Sequence, residues 1–164
     1  MTDELFVRIY ERHKNSIYSV IFNYLRSEAD AGDLTQETFV KLYSCGNEFE
    51  SDEHIKAWLI RVAVNLCKNY IRDNGRHSFE ELDENIPAPE KPDYSYIMNA
   101  VLALPEKYRI PIHLFFYENF SVKQIAAALS LNEATVKTRL KRGKEKLRSM
   151  LEKEAVHYEY RFEI

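Results

Sequence analysis

Apolar residues recur at intervals of three and four along most of this chain, and that spacing predicts amphipathic helices. The predicted helices cover residues 5–24 (as one helix or two), 30–43, 55–71, 96–104 and 105–118, followed by a pair between 121 and 151. Strict alternation of apolar and polar residues does not persist, and glycine is scarce. We therefore predict an all-α protein.

The last predicted pair of helices has the pattern of a helix-turn-helix. Ser121 and Gln124 have the spacing of a capping box that opens the first helix. Ser130 and Leu131 form the turn, and Asn132 is a suitable N-cap for the second helix. Two helices joined by so tight a turn are typical of DNA-binding proteins.

The second helix of this pair is strongly basic. Between Thr135 and Arg148 it carries seven Lys or Arg against one acid. Five other residues recur at helical spacing and should pack inward: Val136, Leu140, Gly143, Leu147 and Met150. Such a helix can pack and still enter a major groove, where phosphates supply affinity and base edges supply specificity.

We expect two kinds of DNA contact from this pair of helices. The groove-facing candidates are Thr135, Lys137, Thr138, Arg139 and Arg142. The phosphate-binding candidates are Lys141, Lys144 and Lys146, with Lys123 from the first helix. An ordinary solvated surface rarely carries so many cations with so few acids, so DNA binding is the favoured interpretation.

The net charge of the whole chain, which is −3, conceals this basic segment. Residues 121–150 hold eight Lys or Arg against two acids, whereas residues 77–94 hold six acids against one Lys. The acidic segment also contains Pro87, Pro89 and Pro92, so it cannot bury much apolar surface and resists regular helix. We predict that it is a linker between two small domains.

The predicted division of the chain has four parts. They are an N-terminal domain (1–76), the linker (77–95), a C-terminal domain (96–151) and a tail (152–164) whose order the pattern leaves open. Within the C-terminal domain, Pro105 suits a first helical turn, and Pro111 should kink the helix that contains it.

Composition argues against several other classes of protein. No segment reaches the roughly 18 uncharged apolar residues of a membrane span, and the first four residues lack the basic start of a signal peptide. We therefore expect a cytoplasmic protein. Cys45 and Cys67 have no paired spacing and the histidines are scattered, so we expect reduced thiols and no metal site. Without a nucleophile motif or a glycine-rich phosphate loop, we expect no catalytic residue, no cofactor and no small-molecule substrate.

The second predicted helix carries acidic residues on one side. Asp30, Asp33 and Glu37 fall at i, i+3 and i+7, and Gln36 lies beside them. This face could pair with Arg and Lys on a partner helix and set the register of docking. It could equally be a solvated surface whose early acids complement the helix dipole. The residues alone leave these alternatives balanced.

The third predicted helix has an apolar stripe and a polar one. The apolar stripe consists of Ile55, Trp58, Leu59, Val62, Leu66 and Tyr70. The polar stripe consists of Arg61, Asn65, Lys68 and Arg72, and the loop before the helix contains Asn47 and Phe49. Such a stripe can hold phosphates and a base edge, and such a loop can receive an unstacked base. Taken alone, however, the stripe fits an ordinary solvated face better.

Three segments, in order, resemble the motifs of bacterial extracytoplasmic-function (ECF) sigma factors, which are transcription initiation subunits of RNA polymerase. Residues 33–39 (DLTQETF) resemble the motif that binds core polymerase. Residues 57–65 (AWLIRVAVN) resemble the promoter-melting helix. Residues 104–109, 125–126 and 135–140 resemble the C-terminal DNA-reading module. The resemblance covers most of the chain.

The resemblance assigns roles to the surfaces described above. Residues Asp30, Asp33, Gln36, Glu37 and Phe39 would bind the coiled coil of the largest polymerase subunit. Residues Asn47, Phe49, Arg61, Asn65, Lys68 and Arg72 would bind the −10 promoter element, with the loop capturing a flipped base. The helix from Glu133 would read the −35 element as duplex. The resemblance also implies an anti-sigma factor as a partner, which no residue here identifies.

Two departures from the family pattern concern local geometry. Ser130 occupies a turn position where the family often has glycine, and Pro111 interrupts a helix. The main alternative is a conventional helix-turn-helix regulator with an N-terminal sensing or dimerisation domain. That alternative explains the basic helix but not the acidic face or the cationic stripe, and the sequence shows no evident apolar pocket or heptad seam.

Overall fold

A computed structural model describes the backbone of residues 1–46, 48–74 and 95–161, and the side chains of residues 1–46, 48–74 and 96–153. Within these residues the chain forms seven helices and no strand. They are α1 (Asp3–Leu25), α2 (Glu28–Ser44), α3 (Asp52–Asn74), α4 (Ser95–Ala103), α5 (Glu106–Phe116), α6 (Val122–Leu129) and α7 (Glu133–Arg161). The prediction of an all-α protein is confirmed.

Helices α1, α2 and α3 pack on one another and form the N-terminal unit. Ile17 and Ile21 of α1, Leu42 of α2, and Leu59 and Ile60 of α3 are completely buried where the three helices meet. These residues come from the apolar positions of each helix, so burial of those positions determines how the three helices pack.

Helices α4 to α7 form the C-terminal unit around a second part of the core. Ile112 and Leu114 of α5, Ile125 of α6 and Val136 of α7 are almost completely buried. The predicted inward-facing Gly143 allows α7 to approach α5 closely, because a Cβ atom at this position would lie 2.9 Å from Cγ1 of Ile112.

The caps predicted for the helix-turn-helix are confirmed. The hydroxyl of Ser121 accepts a hydrogen bond from the amide of Gln124 (3.2 Å), and the Gln124 side chain accepts one from the amide of Ser121 (2.8 Å). Ser130 ends α6 with a left-handed φ of 57°, so a non-glycine residue makes this turn. The side chain of Asn132 accepts a hydrogen bond from the amide of Thr135 (2.7 Å), as expected of an N-cap.

Helix α5 contains Pro111, as the pattern predicts, with Ile110 and Ile112 buried on either side, and the kink at Pro111 stays a prediction. One local expectation differs from the structure. Helix α7 extends to Arg161 instead of ending near residue 151, so most of the predicted tail is helical. The ion pair between Arg148 and Glu152 (2.8 Å), four residues apart, supports this extension.

Three further expectations concern absences or residues outside the described ranges. The linker prediction for 77–95 falls almost entirely outside the described residues. Over the part of the chain that the structure describes, no helix is long and apolar enough to cross a membrane. In the same part, no cluster of three or more His, Cys, Asp or Glu could hold a metal ion.

The two units also pack against each other. Helix α1 contacts α5, and α3 contacts α6, the first helix of the helix-turn-helix. The predicted DNA-binding surfaces of the two units therefore lie close to one another in this structure.

Candidate nucleic-acid and polymerase interfaces

The basic helix α7 presents most of its predicted DNA-binding residues to solvent. Exposed residues are Lys137, Thr138, Lys141, Arg142 and Lys144, together with Lys123 on α6, whereas Thr135 and Arg139 are half-buried. The described ion pairs of α7 include Arg148 with Glu152 but none of these lysines. The lysines consequently repel one another, and phosphates can relieve that repulsion.

The residues of α7 that are predicted to bind DNA differ in the contacts that they make with α5 and within α7. Burial tends to raise the pKa of Tyr108, but the charge of Lys107 and hydrogen bonds from Arg142 and Lys107 outweigh this and lower it. The Nζ atom of Lys146 lies 5.9 Å from the centre of the same ring. The hydroxyl of Thr138 donates a hydrogen bond to the Ala134 carbonyl (3.0 Å). Arg142 therefore acts on Tyr108 of α5, whereas Lys141 and Lys144 have no such effect among the described residues.

We expect Arg139→Ala and Lys144→Ala to affect DNA binding differently. Loss of Arg139 should reduce discrimination between the −35 sequence and a scrambled duplex, because arginine can bond base edges. Loss of Lys144 should weaken binding to both duplexes and lower the slope of log K against log salt by about 0.9. Fluorescence anisotropy over a salt series measures both quantities. Identical behaviour of the two variants would contradict this division of roles.

Helix α2 presents the predicted acidic face. Asp33, Gln36 and Glu37 are exposed, and Glu37 lies 3.5 Å from the Nζ atom of Lys41. Asp30 is half-buried and accepts a hydrogen bond from Tyr70 of α3, which raises the pKa of that tyrosine. Three of these polar side chains are therefore available for a partner, and Asp30 also ties α2 to α3.

Phe39, the fifth residue predicted to bind polymerase, lies in the core. It is 2% exposed, and its ring meets Tyr10 edge-on with 4.9 Å between centres. A second edge-on contact joins it to Phe6 at 6.5 Å. In this structure Phe39 supports α2 from behind instead of offering a contact surface.

The predicted −10 residues on α3 divide into two groups. Arg61 and Asn65 are exposed on one outer face. Lys68 donates a hydrogen bond to the Leu129 carbonyl of α6 (2.9 Å), and Arg72 pairs with Asp73 through its Nε atom (2.8 Å). Both side chains are exposed, and each keeps further N–H donors beyond these intramolecular bonds with which it could bind DNA.

The loop before α3 supplies the remaining −10 candidates. Phe49 is half-buried, with its ring edge-on to Trp58 (5.8 Å) and His54 (5.5 Å). Trp58 packs beside the core, as its place on the apolar stripe predicts. Asn47 lies outside the described residues, so its role stays a prediction.

Polar residues buried between the two units were not identified from the sequence. Arg109, His113 and Glu118 from the C-terminal unit contact Ser16 and Asn23 of α1. Their partners are 86 or more residues away along the chain, so no local pattern indicates them. The sequence did contain one signal of this buried interface. Residues 110–116 are almost all apolar, and a helix of that composition is expected to be buried on nearly all sides.

The fold and these surfaces define a class of protein: a two-unit helical transcription factor with a helix-turn-helix and a separate acidic docking face. Residues 9–77 match the family model of sigma-70 region 2, and residues 94–147 match that of sigma-70 region 4.

Relatives among characterised proteins agree with these matches. The chain is 30% identical over 158 residues to the RNA polymerase sigma factor SigV of Bacillus subtilis, covering 93% of this chain and 95% of SigV. It is 29% identical over 167 residues to the ECF sigma factor SigW of the same bacterium, covering 90% and 89%. It is also 29% identical to the ECF sigma factor SigE of Mycolicibacterium smegmatis, but spans only 61% of that longer protein.

Solved structures share the fold. The sigma factor RpoE of Bartonella quintana, solved with the anti-sigma factor NepR, gives a TM-score of 0.73 at 24% identity, covering 90% of this chain and 96% of RpoE. CnrH, solved with the cytosolic domain of CnrY, gives 0.67 at 22% identity, covering 92% and 90%. The chain belongs to the ECF sigma factors, which are transcription initiation factors and not enzymes. The matches support this interpretation and not the conventional regulator.

Proposed function

We propose that this sigma factor binds core RNA polymerase through the acidic face of α2 and directs it to promoters through α3 and α7. The observation that carries the proposal is that Asp33, Gln36 and Glu37 stay exposed on α2 while Phe39 anchors the helix from behind. A rigid helix with a fixed row of acids suits a basic partner helix, because charge complementarity sets orientation and speeds encounter.

The two units would divide promoter recognition between them. Exposed Arg61 and Asn65 on α3 suit the −10 element, and the exposed lysines of α7 suit the −35 duplex. Opening the promoter needs no catalytic residue, because binding the opened strand better than the duplex shifts the equilibrium towards opening. A pocket for a flipped base offsets an unstacking cost of a few kcal/mol.

We also propose an anti-sigma factor as partner and a cytoplasmic location. The structurally similar sigma factors RpoE and CnrH were solved in complexes with NepR and CnrY, which supports a partner of this class. Neither the chemistry of the surfaces described above nor the family calls for a cofactor or for a catalytic residue in this chain.

Gel-filtration co-elution with sigma-free bacterial core polymerase tests the docking proposal. We expect the parent to co-elute and the variant carrying Asp33→Arg and Glu37→Arg to elute separately, because reversed charges would repel a basic partner. The matched control reverses Glu4 and Glu11, two exposed acids of α1, and should co-elute like the parent.

The possible outcomes test the acidic docking face of α2 and the proposed function in initiation separately. If the variant and the control both co-elute, docking does not depend on the acidic face of α2. If the parent itself does not bind core polymerase but does bind promoter duplex, the proposed function in initiation is wrong.

A further inference from the structure

A carboxylate at the start of α3 faces two consecutive residues of α1. The Oδ1 atom of Asp52 lies 3.0 Å from Nε2 of His13, and its Oδ2 atom lies 3.3 Å from Nε of Arg12. His13 is 4% exposed, whereas Arg12 is exposed to solvent. Because a carboxylate only accepts hydrogen bonds, the Nε2 atom of His13 carries the hydrogen of this contact. Each oxygen of Asp52 is therefore paired with a donor on α1.

This contact fixes the point at which α3 begins, because Asp52 is the first residue of that helix. The hydroxyl of Ser51 accepts a hydrogen bond from the amide of His54 (3.1 Å), and the Ser51 carbonyl accepts one from the amide of Ile55 (3.1 Å). Ser51 is thus the N-cap of α3. The loop of residues 45–51 consequently ends at a fixed point beside α1.

The first turns of α3 also hold the aromatic ring of this loop. The ring of Phe49 lies edge-on to that of His54 at 5.5 Å and to that of Trp58 at 5.8 Å. Phe49 and Trp58 both pack beside the core. His54 comes two residues after Asp52, so a displacement of Asp52 would move one of the rings that hold Phe49. The position of Phe49 therefore depends on the contact between Asp52 and α1.

Stability of the helix alone does not explain this arrangement. An acid in the first turn complements the helix dipole, but Glu53 does this as well and takes part in no ion pair within the described residues. Replacing a buried polar pair by apolar residues is often neutral or stabilising, so an apolar residue could fill the site of His13. The contact between His13 and Asp52 instead determines position, over a separation of 39 residues in the chain.

A fixed position matters for a loop that receives an unstacked base. Ordering a mobile loop during binding costs free energy, so a pocket that is already formed binds more tightly. Unstacking the base is itself unfavourable and must be offset by contacts in the pocket. The loop of residues 45–51 is the segment to which the function proposed above gives this role.

We propose that Asp52, held by His13 and Arg12, is a positioning residue for recognition of the −10 element. It keeps the loop of residues 45–51 in the shape that receives the flipped base, and it acts through Phe49 and the start of α3. None of the three residues needs to contact DNA. This inference rests on the −10 function proposed above for the loop.

Two test variants break the contact from its two sides. Asp52→Ala removes the acceptor on α3, and His13→Leu removes the buried donor on α1 while keeping a similar volume. We expect the full chain to lose roughly tenfold in affinity for a single strand, because stacking of one base supplies about that much. The probes are labelled single strands of dA, dC or dT, and the comparison uses the one that the parent binds most tightly. Affinity for a −35 duplex should stay near the parent's value, since α7 is unchanged.

The sign of the effect separates positioning from charge. Removal of an acid by Asp52→Ala should strengthen binding to a nucleic acid if the loop does not move. The matched control, Glu53→Ala, removes the neighbouring exposed acid and should bind single strands as tightly as the parent or more tightly. His13→Gln restores an N–H donor near the position of Nε2 and should recover most of the parent's affinity.

The fluorescence of Trp58 reports on the loop directly, because it is the only tryptophan in the sequence. The ring of Phe49 lies against it, so release of the loop should shift its emission to longer wavelength and increase quenching by acrylamide. We expect this change in Asp52→Ala and His13→Leu but not in Glu53→Ala or His13→Gln. A merely stabilising role would lower the free energy of unfolding in urea without changing the emission of the folded protein.

The possible outcomes test the positioning role of Asp52 and the proposed −10 function separately. If Asp52→Ala and His13→Leu are folded by circular dichroism and keep the parent's emission and single-strand affinity, the positioning role is wrong. A change in only one of these two measurements would also overturn it. A parent that binds none of the single strands, with or without core polymerase, would count against the −10 function. The emission comparison would still decide whether Asp52 holds the loop.

Discussion

Replacing Arg109 by methionine should lower the free energy of unfolding by about 3 kcal/mol. Arg109 is 2% exposed, and its guanidinium donates to three carbonyls, those of Asn23 (2.6 Å), Leu102 (3.2 Å) and Leu104 (2.7 Å). Methionine fills a similar volume but leaves the three carbonyl oxygens without a hydrogen-bond donor. Each unsatisfied carbonyl costs about 1–3 kcal/mol of stability. Burial, together with the charge of Arg26, lowers the pKa of Arg109 to about 10, because the charged form is disfavoured at this position. Replacing the cation by a neutral side chain therefore recovers part of the stability that the lost hydrogen bonds supplied.

Urea denaturation followed by circular dichroism measures this effect. Arg109→Lys should be intermediate, because an ammonium group keeps the charge but lacks the planar fork of donors. Arg148→Met is the control, since that arginine is exposed and pairs only with Glu152 among the described residues. A loss below about 1 kcal/mol for Arg109→Met would mean that the carbonyls find other partners.

Changing Lys137, Lys141 and Lys144 together to glutamine should weaken binding to a −35 duplex on the order of 10²-fold at physiological salt. The three residues lie on α7 at i, i+4 and i+7, so they share one exposed face. If Lys141 and Lys144 each bind one phosphate and Lys137 faces the groove, the slope of log K against log salt should fall by about 1.8, because each phosphate that is no longer neutralised lowers it by about 0.9.

Anisotropy titrations at several salt concentrations measure both quantities. The matched control carries glutamine at Arg8, Lys14 and Lys41, which removes the same net charge from α1 and α2. It should keep nearly the parent's slope, because its cations lie outside the DNA-reading unit. If the control weakens binding as much as the α7 variant, the effect is one of total charge and α7 does not bind the phosphates.

Much of the fold could be predicted from local chemistry. Each predicted helix is present, because spacing of apolar residues by three and four produces a face that must be buried. The caps of the helix-turn-helix were predictable for a similar reason: Ser121, Gln124 and Asn132 bond to amides only three residues away. The extension of α7 was not predicted, since its charged composition lacks a continuous apolar stripe.

The candidate sites were predicted less completely than the helices. The exposed acids of α2 and lysines of α7 follow from helical spacing, which determines the face on which a residue lies. Spacing does not determine what packs against that face. Phe39 was placed on the polymerase-binding surface but is buried behind α2, and Lys68 was placed on the DNA-binding stripe but caps α6.

The sequence by itself determined that this protein is helical, that it ends in a basic helix-turn-helix and that it resembles a sigma factor. These properties depend on residues within one or two helical turns of each other or on short motifs. Only the tertiary structure decided that the two units pack together through Glu118 and Arg109. The Ser16–Glu118 contact joins residues 102 positions apart, and a buried charge in such a contact is tolerated only when the fold brings its partners to it.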